Sequence, residues 1–205
     1  MPTTRSECEH CMGALPLPRR SDARYCSGRC RVAALRARRK ADAARIPETL
    51  TSRARWVRHS AKRPMRIDGK WASTTDPSTW SDFAAVDRSR LGQGIGFVLA
   101  PGDDILVVDL DHAVENGELK PWARRIVDAL PATYMERGRS GTGLHLWFRG
   151  SVPAGRRIRR GDVALEVYSQ GRYIIVGERV AEAPGVLAEL PDAAWVIASI
   201  LKDVC

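Results

Sequence analysis

"ILVVDLDHA" (residues 105–113) drives four apolar residues into two aspartates one residue apart, with a histidine directly behind. So apolar a run belongs inside a sheet, where an unpaired carboxylate is costly. On a strand, Asp109 and Asp111 leave the same face, roughly 7 Å apart along the backbone, and His112 points the other way. Two like charges on one face repel unless a cation stands between them. Hard oxygen donors with open positions suit Mg2+ or Mn2+, with phosphates completing the shell. The competing reading is a strand end whose aspartates are solvated in a turn.

Two further stretches bear on that choice. "RGRSGTGLHLWFRG" (137–150) sets a glycine-rich turn, Ser140-Gly141-Thr142-Gly143, before a strand carrying His145. Glycines let backbone N–H groups approach phosphate oxygens, and Arg137 and Arg139 add positive charge. No Gly-Lys-Ser/Thr follows, so the turn is not a P-loop. "VALEVYSQGRYIIVG" (163–177) then carries Glu166 between Leu165 and Val167, a third lone carboxylate in an apolar strand.

Around these stretches the pattern predicts alternating strands and helices from about Trp56 onward. "GIGFVLA" (94–100) and "ILVVDLD" (105–111) read as a hairpin, as do "TYMERGR" with "GLHLWFRG", and 163–177 turning at Gln170-Gly171. "LKPWARRIVDALP" (119–131) is an amphipathic helix with Trp122, Ile126, Val127 and Leu130 on one stripe. "PDAAWVIASILKDV" (191–204) is a last helix, with Trp195, Ile197, Ile200 and Leu201 expected to pack.

The front of the chain differs in kind. Residues 1–66 hold 17 Lys/Arg against 5 Asp/Glu, and the remainder 16 against 19, within a net charge of +9 over 205 residues. A basic front on a near-neutral body suggests a polyanionic partner; a solvated basic tail is the bland alternative. "CEHCMGALPLPRRSDARYCSGRC" (8–30) has too few apolar residues for a core but pairs Cys8 with Cys11 and Cys26 with Cys30. Cysteine pairs this close read as metal ligands in a reducing compartment, and four thiolates give a closed, structural Zn2+ site. Arg19, Arg20, Arg24, Arg29 and Arg31 surround it. "RVAALRARRKADAAR" (31–45) is almost all helix formers, and Pro47 closes it. The chain divides accordingly into a zinc-binding module (1–33), a basic helical linker (34–54) and a main domain (55–205). No apolar run is long enough for a bilayer, so a soluble, cytoplasmic protein is expected, with no membrane partner.

Asp-x-Asp after an apolar strand, a small-residue turn with x-His, then an apolar strand with one acid resembles the three motifs of the primase-polymerases. These belong to the archaeo-eukaryotic primase superfamily, and the resemblance is to the phage and plasmid type. "KRPMRIDGKWASTTDPSTWSDFAAV" (62–86) is similar to the lead-in of that domain, and the resemblance covers roughly residues 55–180. It implies an α+β fold: an RRM-like antiparallel sheet with packed helices plus a small α/β lobe. It implies that Asp109, Asp111 and Glu166 ligate the divalent metal and that His145 contacts the phosphates of the incoming nucleotide. Ser140, Gly141, Thr142 and Gly143, with Arg137, would belong to the same nucleotide-binding turn, and Arg172 would be a further contact. Many relatives follow the third motif with Pro-Pro-Ser, whereas this chain reads "YIIVGERV", a departure that bears on substrate contacts near Val176 and not on the metal ligands. The implied activity is template-directed nucleotidyl transfer from nucleoside triphosphates on single-stranded DNA. No helicase motif is present, so a separate replicative helicase, as in a phage or plasmid system, is the expected partner. Two other classes remain open at this point: a metal-dependent nuclease using the same acids, and a non-catalytic zinc-containing DNA-binding protein.

Overall fold

The computed structural model describes residues 6–17, 22–43 and 46–204. Arg19, Arg20 and Cys205 lie outside them. The chain forms two compact units, Met1–Ile46 and Pro47–Cys205.

In the first unit, a knuckle over Cys8–Gly13 is closed by Cys8 N–H donating to Gly13 O at 2.8 Å and Met12 N–H to Cys8 O at 3.0 Å. The helix α1 (Gly28–Ala43) follows. Among the described residues only Cys8, Leu15 and Ala34 are buried hydrophobics here, far too few for a core.

The second unit opens with α2 (Glu48–Thr51), β1 (Trp56–Ser60), β2 (Arg63–Met65), a 3-10 turn (Pro77–Thr79), α3 (Phe83–Arg88) and β3 (Gly94–Leu99). Then come β4 (Ile105–Leu110), β5 (Val114–Glu115), β6 (Glu118–Leu119), α4 (Pro121–Ala129), β7 (Met135–Arg137) and β8 (Leu144–Arg149). The chain closes with β9 (Arg156–Arg160), β10 (Val163–Tyr168), β11 (Arg172–Ile175), β12 (Glu178–Arg179), β13 (Ala188–Glu189) and α5 (Ala193–Val204).

Two principal sheets result. The larger runs β12-β7-β8-β4-β10-β9, with β13 joined to β8; the smaller runs β11-β3-β1-β2, and β5-β6 forms a separate ribbon. Every pairing is antiparallel except β13 with β8. Alternation fixes which way the larger sheet faces. Leu106, Val108 and Leu110 line up with Leu144, Leu146, Phe148, Val163, Leu165 and Val167 against Trp122, Ile126, Leu130, Ile197 and Leu201 of the two helix segments. The opposite face carries Asp109, His145 and Glu166. Trp147 leaves that face to meet Phe97 of the smaller sheet, ring centroids 5.8 Å apart, and Phe97 meets Trp56 at 5.2 Å. The chemistry-bearing face is thus the one turned toward the second sheet.

Two of the three expected hairpins are instead crossovers. β3 pairs with β1 and β11, whereas β4 pairs with β8 and β10. Residues 100–104 carry the chain from one sheet to the other, as do residues 169–171 between β10 and β11. Taken together, β3–β4 and β10–β11 form one long antiparallel ribbon that bends between the sheets. The bend is fastened by Asp103, whose carboxylate binds Arg55 at 2.6 Å and Arg53 at 3.3 Å. Strands apolar on both faces carry no alternation to name their partners, so a short connection between them resembles a hairpin turn. The β7–β8 hairpin is formed as expected.

The last helix departs in one residue. Trp195 is 72% exposed. Ala193, Ile197 and Leu201 recur every fourth residue on the core stripe, and a residue two past Ala193 lies on the far side of the helix.

Candidate active site

Residues opposed in neighbouring strands share a face. In the larger sheet, Glu136 stands opposite His145, His145 opposite Asp109, Asp109 opposite Glu166, and Glu166 opposite Arg157. Five ionisable residues from five strands therefore make one row across the sheet. Asp111 lies one step beyond β4, its N–H donating to Ala164 O at 2.9 Å, on the same face as Asp109.

The distances describe a line in which a histidine and two arginines flank two adjoining acids. His145 Nε2 is 3.7 Å from Asp109 Oδ1, and its Nδ1 is 3.7 Å from Glu136 Oε2. Glu166 Oε1 pairs with Arg157 Nε at 2.8 Å, and its Oε2 accepts from Tyr168 Oη at 3.0 Å. Arg159 Nη2 reaches Asp111 Oδ2 at 2.7 Å and Glu166 Oε1 at 3.7 Å, so one guanidinium nitrogen touches both acids. Arg172 stacks on the Tyr168 ring at 4.6 Å and donates to its hydroxyl at 3.1 Å.

Burial and crowding shift the protons. Asp109 is pushed up to about 6, first by burial and then by the neighbouring Asp111 and Glu166 charges, against the pull of His145 and Arg159. Burial works against charge on His145, yet the facing Glu136 and Asp109 carboxylates outweigh it and hold the ring above the ordinary histidine range. Glu136 is fully buried and accepts from Tyr134 Oη at 2.7 Å and from Gly177 N–H at 3.2 Å. These two donors fix the Glu136 side chain behind the imidazole.

The glycine turn closes over the end of this row. Gly138 N–H donates to Gly143 O at 2.9 Å and Gly141 N–H to Gly138 O at 2.8 Å, and Gly141 takes φ 77°, a conformation that favours glycine. Ser140 Oγ and Thr142 Oγ1 are 2.9 Å apart, and Arg139 ties the turn to the smaller sheet through Gln93 O at 3.1 Å. A β-carbon on Gly138 would stand 3.6 Å from His145 Nε2, so the turn and the imidazole are neighbours.

Arg137 is not brought to the row. It stands opposite Leu144, a residue of the helix-backed core, and its guanidinium donates to Gly117 O at 3.0 Å. Glu136, Arg157, Arg159 and Tyr168 belong to the row or its edge and were not singled out by the sequence reading. The available signal was alternation: Glu136 is an acid between Met135 and Arg137 in a strand, and "RRIRR" (156–160) spaces Arg157 and Arg159 two apart on one face.

A second cluster stands in the first unit. The Sγ atoms of Cys8, Cys11, Cys26 and Cys30 all lie within 4.8 Å of one another. Cys11 and Cys26 are 3.6 Å apart and Cys26 and Cys30 3.4 Å, near the roughly 3.8 Å edge of a tetrahedron built on metal–sulfur bonds of about 2.3 Å. The Cys11 backbone N–H leads the causes that bring Cys8 down to about 6, while the adjoining Cys30 and Cys11 sulfurs push Cys26 up to about 12. Four thiolates cannot share that space without a cation.

The family model described as bifunctional DNA primase/polymerase, N-terminal, matches residues 22–192. The chain belongs to that family. It is also 34% identical over 159 residues to a DNA primase-polymerase of Nitratiruptor phage NrS-1. That alignment covers 70% of this chain and 22% of the relative, so the chain spans about a fifth of the relative's length.

Proposed function

We propose that this chain is a DNA-directed primase-polymerase that adds nucleotides to a strand by template-directed nucleotidyl transfer. The observation that carries this reading is the register that sets His145, Asp109 and Glu166 side by side, with Asp111 one step along. Asp109, Asp111 and Glu166 would hold Mg2+ or Mn2+; their hard oxygens and the upward shift at Asp109 are what a site built around cations would show. When bound, such ions activate the attacking 3′-hydroxyl and stabilise the departing pyrophosphate.

The chain's own groups do the positioning. His145, its ring raised above the ordinary histidine range by the facing Glu136 and Asp109, would donate from its imidazole to a phosphate oxygen. The Ser140–Gly143 turn supplies further donors, so the triphosphate is held in line before reaction. The larger sheet with α4 and α5 would be the RRM-like body, and the smaller sheet the second lobe. The cysteine cluster would hold structural Zn2+ in a module over 1–33, joined by 34–54 to a catalytic domain over 55–205. Template would be single-stranded DNA, exposed by helicase action.

A primer-free assay on single-stranded templates, with labelled NTPs or dNTPs and Mg2+ or Mn2+, tests this reading. Template-dependent products are expected. His145→Ala should raise the nucleotide KM by at least about tenfold, on the order of a charge-assisted contact to phosphate. Degradation without incorporation would assign a nuclease, and DNA binding without either a non-catalytic module.

A further inference from the structure

The metal-ligand row has two unlike flanks. On the β8 side stand His145 and the glycine turn. On the β9 side stand Arg157 and Arg159, on the last strand of the sheet. Their register, opposite Glu166 and Ala164, puts both guanidinium groups on the face of the acids. Arg159 reaches Asp111 by passing over Ala164, which offers only a methyl group to cross. Both arginines remain open to solvent, with 62% and 43% of their side chains exposed. Nothing in the mechanism above uses them.

We propose that Arg157 and Arg159 are a polynucleotide-backbone site, released for that use when a divalent cation takes the carboxylates. The proposal rests on the polymerase reading. Phosphates must approach the row from two directions, as the triphosphate and as the strand to be copied or extended. The triphosphate has His145 and the turn on one side, which leaves the β9 side to the strand. An exposed guanidinium paired with a carboxylate exchanges it readily for a phosphodiester once the carboxylate is engaged elsewhere, because the pair is worth little in water. Two arginines spaced by one residue on a strand stand about one nucleotide step apart, roughly 7 Å. Cation binding and strand binding then reinforce each other, and the coupling is reciprocal.

The test is fluorescence anisotropy of a labelled oligothymidylate on the whole chain, with KCl and Mn2+ varied. Wild type should bind more tightly when Mn2+ is added, although a divalent cation ordinarily weakens DNA binding by screening. The double variant Arg157→Gln/Arg159→Gln should lose that gain, bind about tenfold more weakly at low salt, and show a salt slope shallower by about 1.4. Arg157→Lys/Arg159→Lys should keep the slope, which a purely structural role would not predict. Titration of a non-hydrolysable dNTP with Mn2+ should be no weaker in the glutamine variant. Unchanged oligonucleotide affinity and slope in that variant would overturn the proposal. So would a loss of dNTP binding instead, which would put the arginines on the triphosphate. A wild-type chain that incorporates no nucleotide fails the polymerase reading itself, independently of these titrations.

Discussion

Asp109→Asn is expected to abolish nucleotide incorporation and, in the same molecule, to make the cation-free fold more stable at neutral pH. The two effects share one cause. The folded protein holds the Asp109 carboxyl up to about 6, against 3.8 for an ordinary aspartate, chiefly through burial and the Asp111 and Glu166 charges. A raised acid binds more protons folded than unfolded, so stability falls as pH rises from about 4 to about 6 and stays lowered above that. The loss at pH 7–8 is on the order of 2–3 kcal/mol, which asparagine removes. For a unit of this size the melting temperature should rise by roughly 5–10 °C at pH 7.5 and hardly change at pH 4. Added Mn2+ should raise the melting temperature of the wild type far more than that of the variant. Incorporation should drop by at least about a thousandfold, since the ions stabilise charge at both reacting oxygens. A variant less stable than wild type at pH 7.5 would mean that the Asp109 charge stabilises the fold, contrary to this account.

The second large effect concerns the cysteine unit. Removing its metal with a strong chelator, or changing Cys8 to serine, should erase amide-exchange protection in residues 6–17 and 22–43. Only three buried hydrophobics among the described residues support that unit, and a structural Zn2+ site contributes on the order of 10 kcal/mol of folding free energy. Metal analysis should give one zinc per wild-type chain and none in the Cys8→Ser variant. The unit Pro47–Cys205 has its own core and should keep its melting transition under the same treatment. Persistent protection of residues 6–17 and 22–43 in metal-free protein would contradict a structural role for the cysteines.

What the sequence made legible follows from periodicity. Asp109, His145 and Glu166 each interrupt an apolar strand, and a strand's alternation alone puts each on the face away from its apolar neighbours. Their juxtaposition needed the register of three strands, which no local pattern encodes. The same limit explains the misread connections. Residues 100–104 and 169–171 look like hairpin turns because they are short, but the Asp103 pairs with Arg53 and Arg55 come from residues about fifty positions away. Glu136 escaped notice because an acid next to Arg137 in "MERGR" reads as solvated, and only the fold reveals that it is buried behind an imidazole. Arg157 and Arg159 sit among five consecutive residues of which four are arginines, so their sequence does not say which pair faces the acids. Trp195 differs for a simpler reason: the spacing of Ala193, Ile197 and Leu201 assigns the core stripe, and an aromatic side chain off that stripe faces solvent.

The most direct test of the central claim is anomalous diffraction from crystals soaked in Mn2+ with a non-hydrolysable dNTP. Manganese peaks should lie within coordination distance of Asp109, Asp111 and Glu166, with the triphosphate against His145 and the 138–143 turn and with Arg157 and Arg159 withdrawn from the acids. Manganese bound elsewhere, with both arginines still paired to the carboxylates and the nucleotide away from His145, would contradict it.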